Sequence, residues 1–318
     1  MSPRHDDPRA ASAALTYLAE PADPILGALL QVHTPGDVLA AITSGGVPSN
    51  VCPDEVRAAK LRLALTRWQA RLAAIPPDAG LDEHEAQGIR LICPGDPGWP
   101  AQLDDLGAGR PYALWVRGTT DLRTICRQSV AVVGARAATA YGTHVCTEIT
   151  TALSVCGWTI ISGGAFGIDA CAHRAALAAE GMTVAVLACG ADVAHPREHS
   201  GLLDAVAVSG AVISELPPGT LPSRQRFLLR NRVVAAMASG TVVIEAALQS
   251  ATLATARHAI TVGRPVMAVP GPVTSAMSVA CHALIRDQQA TLATRAADIL
   301  TCISLAVSRA QATACQRW

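Results

Sequence analysis

The sequence predicts an α/β protein: an open, doubly wound parallel sheet preceded by a small helical module. Three observations carry this. From Ser129 onward, short β-branched runs alternate with helical segments of about a dozen residues. Those runs are apolar throughout, as strands covered on both faces must be. Glycine-rich corners stand where several of the runs give way to helices.

Taken in order, residues 1–88 read as helical. "ASAALTYLAE", "PILGALLQV" and "PGDVLAAITSGG" are short apolar-periodic pieces punctuated by Pro and Gly, and Asp54–Ile75 is the longest, closing before Pro76 and Pro77. Residues 89–128 read as a connector in which "IRLICPGDPGWPAQLDDL" and "PYALWVRG" supply short strands between turns, as in an edge hairpin. Residues 129–304 carry the alternation. Strands are expected at Val130–Val133, Trp158–Ile161, Thr183–Leu187, Ala211–Ser214, Thr241–Ile244 and Pro265–Val269. Helices are expected at Ala140–Val155, Ile168–Glu180, Arg197–Val208, Arg224–Ala238 and Ser250–Val262. Residues 305–318 read as a tail.

Composition narrows the functions open to this chain. Half of its 318 residues are apolar and 16% are charged, ample for a buried core. Net charge is zero, so any nucleic-acid surface must be a local patch. Of the 25 basic residues only Lys60 is a lysine. The ten cysteines show no C-x-x-C spacing, and several lie in apolar runs, where cysteine acts as a small buried hydrophobe. The N-terminus lacks a basic-then-apolar signal pattern, and no run of about 18 apolar residues is present. The expectation is a soluble protein of the reducing cytoplasm that makes no membrane contact.

In a doubly wound sheet, ligands gather at the carboxyl ends of the strands. Five corners fall there: "VAVVGARAATAYG", "IISGGAFGIDACAH", "AVLACGADVAHPREH", "VISELPPG" and "VVIEAALQSATLATA". Helix N-termini at such corners offer free N–H groups and a partial positive charge to an anion. The first corner lacks the G-x-G-x-x-G of a dinucleotide site and no Gly-Lys-Ser/Thr loop occurs, which counts against dehydrogenases and nucleoside triphosphatases. The sharpest local charge is "SRQRFLLRNRVV", with Arg224, Arg226, Arg230 and Arg232 around Phe227 and Asn231, and no acidic residue between Pro217 and Ile244. Arginines with an aromatic among them suit a groove that follows a single strand and stacks its bases, against the plainer alternative of a solvated helix face and core packing. Asp169 and His173, four apart, are read as bracing a helix against the sheet rather than as an acid–base pair. His195 and His199 lack the H-E-x-x-H arrangement, so no metal or cofactor is expected.

Together these motifs resemble the DprA/Smf family of DNA-processing proteins. The resemblance covers "RLICPGDPGWPAQL" and nearly everything from Val130 to about Leu300. It implies an extended Rossmann-like domain that binds single-stranded DNA without catalysing a reaction, protects it during natural transformation, helps load a RecA-type recombinase onto it, and works as a homodimer. It further implies roles for Gly134 and Arg136 at the first corner, for backbone amides of Ser162, Gly163 and Gly164 at the second, and for Arg224 before a stacking Phe227. Arg230, Asn231 and Arg232 match the family's R-N-R. There are departures. Phe166 replaces a basic residue, Ser250-Ala251-Thr252-Leu253 replaces S-G-S-L, and His282 falls where G-x-N-x-L-I has its asparagine. The C-terminal winged-helix module of many members is not expected after residue 305. The rival from another class is a nucleotide or sugar-phosphate hydrolase of the lysine-decarboxylase-like type, in which Glu245 would stabilise an oxocarbenium-like transition state and Arg136 would hold phosphate.

Overall fold

The computed structural model describes residues 6–46 and 55–315. Five helices come first: α1 (Pro8–Leu18), α2 (Pro24–Leu29), α3 (Pro35–Ser44), α4 (Glu55–Gln69) and α5 (Leu81–Ala86). Each of the first three has proline in its first turn behind a capping Asp7, Asp23 or Thr34, whose side-chain oxygen accepts from a backbone N–H of that turn. Helix α4 stops at Gln69, short of the predicted Ile75; the chain tightens into a 3-10 turn at Leu72–Ala74 before Pro76. Strands β1 (Ile89–Ile92) and β2 (Leu114–Arg117) follow, then α6 (Leu122–Arg127).

The alternating part comprises β3 (Ser129–Val133), α7 (Ala140–Val155), β4 (Thr159–Ser162), α8 (Ile168–Ala178), β5 (Thr183–Val186), α9 (Ser200–Ser209), β6 (Ala211–Ser214), α10 (Arg224–Met237) and β7 (Gly240–Val243). After these come α11 (Thr252–Thr261), β8 (Val266–Ala268), α12 (Val279–Arg286), β9 (Thr291–Leu292) and α13 (Ala296–Cys315). The six predicted strands fall within about one residue of the observed ones. The short elements α6, α12 and β9 lie outside the predicted set. The chain from residue 305 continues α13 as far as Cys315, with Ile299 and Ile303 buried against the sheet. Residues 316–318 of the expected tail, like Asp54, lie outside the described residues.

One nine-stranded sheet runs β1-β2-β6-β5-β4-β3-β7-β8-β9. Strands β3 to β9 are mutually parallel, while β1 and β2 join antiparallel through β6. The order reverses between β3 and β7, so the loops after those strands diverge and leave a crevice at their carboxyl ends.

Successive side chains along each strand point to opposite faces. Ala131, Val133, Val184, Val186 and Val243 pack under α10, α11 and α12, whereas Val130, Val132, Ile160, Val242 and Ile244 pack under α7, α8 and α13. On this second face, beyond α9, the N-terminal helices cover Trp115 of β2. Trp115 is wholly buried, donates its indole N–H to Thr16 Oγ1 (3.2 Å) and meets the edges of His84 and Tyr17. Trp115→Ala is expected to cost about 3–5 kcal/mol in denaturant unfolding, with the first helices losing protection from hydrogen exchange.

Candidate nucleic-acid interface

The crevice at the strand-order reversal is a cavity of about 350 Å³. The loop after β3 supplies Gly134 and Arg136, the loop after β4 supplies Gly163 and Ala165, and the loop after β7 supplies Gln249 and Ser250. Helix α10 closes the remaining side with Phe227, Arg230, Asn231 and Val234, the i, i+3, i+4, i+7 face of one helix.

Interlocking backbone approaches fix these loops. Gly167 has φ +75°, and any side chain there would strike the carbonyl oxygens of Ala135 and Arg136. A methyl group at Gly163 would collide with the Arg230 guanidinium. That guanidinium lies beneath the cavity, donating to the carbonyls of Gly163 (2.6 Å) and Val186 and to Asn231 Oδ1 (3.3 Å). Asn231 in turn donates to the Ala251 carbonyl (3.1 Å). Asp169 accepts from the Ala165 N–H (3.3 Å), and burial pushes its carboxyl above the usual range, an effect the nearby Arg230 opposes. Thr252 closes the last gap by donating to the Gly134 carbonyl (2.9 Å), while Ser250 Oγ accepts from the Thr252 N–H (3.1 Å).

The arginine run divides by what each member touches. Arg226 forms a two-pronged pair with Glu20, two residues beyond the end of α1 (2.9 and 2.8 Å), and Arg232 forms one with Glu215, both partners of the latter pair buried. The stretch from Pro217 to Ile244 has no acid of its own, yet acids distant in sequence neutralise two of its four arginines. Arg230 is inside the protein. Only Arg224, in the first turn of α10, stays exposed from this run, joined on the surface by Arg136 and Arg197. None of these three forms an ion pair with a described residue. Arg136 stands over the Phe227 ring with 4.8 Å from Cζ to the ring centroid, within cation–π range.

Beyond that pair lies a second cavity of about 440 Å³, bounded by Arg136, Phe166, His195, Arg197, Glu198 and Phe227. Arg136, Ala165 and Phe227 belong to both cavities, so the two form one track. Of the predicted residues, Gly134, Arg136, Gly163, Phe227, Arg230, Asn231 and Ser250 meet around the first cavity, and Phe166 lies in the second. The others lie off these walls. Ser162 is buried and donates its hydroxyl to the Val132 carbonyl (2.6 Å). Gly164 gives its carbonyl to His199 Nδ1 (3.0 Å). Arg232 points to Glu215 and the Gly109 carbonyl, and His282 hydrogen-bonds the Gly271 carbonyl (3.0 Å), holding the loop after β8. His195, Arg197 and Glu198 are the lining residues that sequence reasoning did not select. Their motif, "HPREH", closes the third of the five corners, a place after β5 that marks it as a cleft loop, although its own residues read only as a poor metal site.

Two weighed pairs resolve as supports. His173 is fully buried and its Nδ1 bonds Thr183 Oγ1 (2.7 Å) rather than Asp169; burial holds its pKa down at about 3. Glu245 accepts from the N–H (2.9 Å) and hydroxyl (2.6 Å) of Thr139, the N-cap of α7. With both carboxylate oxygens so engaged, the residue that a sugar-phosphate hydrolase would need serves as a brace.

Fold and site thus define a doubly wound α/β protein with an open, arginine- and aromatic-lined crevice at its strand-order reversal. The sequence pattern of the family "DNA recombination-mediator protein A" matches residues 90–304, and the chain belongs to that family. A relative from Mycobacterium tuberculosis is 48% identical over 224 residues, 67% of this chain and 57% of the relative, so the chain spans little more than half of that protein. DNA processing protein DprA of Bacillus subtilis is 33% identical over 225 residues, 71% of this chain and 73% of the relative. The X-ray structure of DNA processing protein A from Streptococcus pneumoniae superposes with a TM-score of 0.71 at 26% identity, covering 95% of this chain and 98% of that one. A structure of the Helicobacter pylori protein, described for its single-stranded DNA binding mode, gives a TM-score of 0.59 at 26% identity over 66% of this chain and 94% of that one.

Two outcomes test this division of labour. Glu215→Ala strands a buried guanidinium and should cost about 3–5 kcal/mol in chemical denaturation, whereas Arg224→Ala should stay within about 0.5 kcal/mol. Because His173 stays neutral in the fold but takes a proton when unfolded, its contribution should be whole above pH ~6.5 and fall away as pH drops toward about 3. Denaturant midpoints measured against pH should therefore fall less steeply on the acid side in His173→Gln than in the parent protein.

Proposed function

We propose that this chain binds single-stranded DNA along the track at the carboxyl edge of its sheet and acts as a non-catalytic recombination mediator. In this reading it shields the strand and passes it to a RecA-type recombinase, working as the homodimer that the family resemblance implies. The observation that carries the reading is the Arg136–Phe227 pair standing between two connected cavities. A ring there offers a stacking surface to any base, and an unpaired guanidinium beside it meets the phosphate between two bases. Family membership and the DNA-binding relative from Helicobacter pylori support the same ligand. The bracing role of Glu245 speaks for binding rather than hydrolysis.

Anisotropy titrations of labelled single- and double-stranded oligonucleotides across a salt series test the proposal. The single strand should bind more tightly, with a log–log salt slope of about −0.7 per phosphate neutralised. Phe227→Ala should weaken binding of any sequence by about 1–3 kcal/mol. Undiminished binding by that variant would place the strand elsewhere. Recombinase transfer is checked separately, by whether the protein speeds filament assembly on single strands already coated with a single-strand-binding protein; no acceleration would remove that part.

A further inference from the structure

The second cavity differs in chemistry from the first. Its walls combine Phe166, His195 and Phe227 with Arg136, Arg197 and Glu198. Phe166 is 46% exposed, an unusual placement for one of only two phenylalanines in the chain. Its ring is nevertheless held. It meets the buried His199 edge-on with centroids 4.8 Å apart, and His199 is fixed by its bond to the Gly164 carbonyl. Phe227 is held in the same manner, with His195 tilted against it at 5.6 Å and Arg136 over the ring. Two aromatic side chains, each fixed by a neighbouring ring, therefore line the gap. An acid on the wall of that gap argues about occupancy. Glu198 is an acceptor that a phosphate cannot use and an amino group can, so the gap suits the base of a nucleotide, while Arg136 and Arg197 on the same lining suit its phosphates.

Resting on the reading above, we infer that the cavity bounded by Phe166, His195, Arg197 and Glu198 is a nucleobase slot, separate from the switch-point cavity, that takes a base with an exocyclic amino group. Phe166 supplies the stacking surface. Glu198 accepts from the amino group, as carboxylates do from cytosine N4. Arg136, between the cavities, meets the phosphate that joins the base in this slot to the base at Phe227. Thymine lacks the amino donor and occupies the slot less well.

The test uses the full chain with oligo-dC and oligo-dT of about twelve nucleotides, lengths that suit one such groove. The parent protein should prefer oligo-dC, and Glu198→Gln should abolish the preference. Phe166→Ala should weaken oligo-dC binding by about tenfold with an unchanged salt slope, because a lost base contact releases no counterions. Phe166→Trp should restore it. Equal thermal midpoints would show that the variants remain folded. Normal binding by Phe166→Ala, or a shallower salt slope in that variant, would overturn the slot while leaving strand binding at Phe227 intact. Absence of a base preference in the parent protein would overturn the role of Glu198. Failure of the parent protein to bind single strands at all would remove both the slot and the function on which it rests.

Discussion

The Arg230 guanidinium is the tie on which the site depends. It sits where α10 crosses the carboxyl ends of β4 and β5, and it donates to the carbonyls of Gly163 and Val186 there. Burying a guanidinium is costly unless its donors are satisfied, so its position is narrowly set. From that position much else follows. Residue 163 must be glycine, the β4–α8 loop must pass close over the arginine, and Asp169 is drawn near enough to oppose its charge. Phe227, one turn earlier on the same helix face, is thereby delivered to the rim of the crevice.

The surrounding ion pairs explain how a chain of zero net charge shows a cationic track. Glu20 and Glu215 each hold one arginine of the α10 run, so those charges become internal fasteners, one joining the N-terminal helices to α10 and the other joining α10 to the end of β6. What remains exposed is sparse: Arg136, Arg197 and Arg224, set around aromatic rings rather than massed. In the proposed role, such a surface would have little long-range pull on duplex DNA and would gain most from a strand whose bases can turn inward.

Much of the fold was legible because the parallel strands are apolar on both faces and the helices between them are long enough to show their period. The predicted α7 matches the observed bounds, and β6 does too. Elements held by tertiary contact were not legible: the two-residue β9 carries no period of its own, and the eight residues of α12 are too few to stand out. The site was legible in outline, since the glycine corners and Phe227 do meet in one crevice. Which arginines face outward was not. Arg226 and Arg230 stand four apart on α10, a spacing that alone would put them on one face, yet the first turns aside to Glu20 and the second is swallowed by the sheet. Partners 206 residues away for Arg226, and 67 and 44 residues away for Arg230, decide that, and no local pattern encodes them.

The antiparallel attachment of β2 to β6 sets the order in which the chain can be completed. Trp115 and its neighbours leave the ribosome about a hundred residues before Ser214, their partner in the sheet. Until β6 has docked on β5, β2 has no central edge to join, and the tryptophan meant for the interior stays in water or against the N-terminal helices alone. The chain as far as β2 is therefore a waiting structure during synthesis, exposed to association with other nascent chains until β6 arrives.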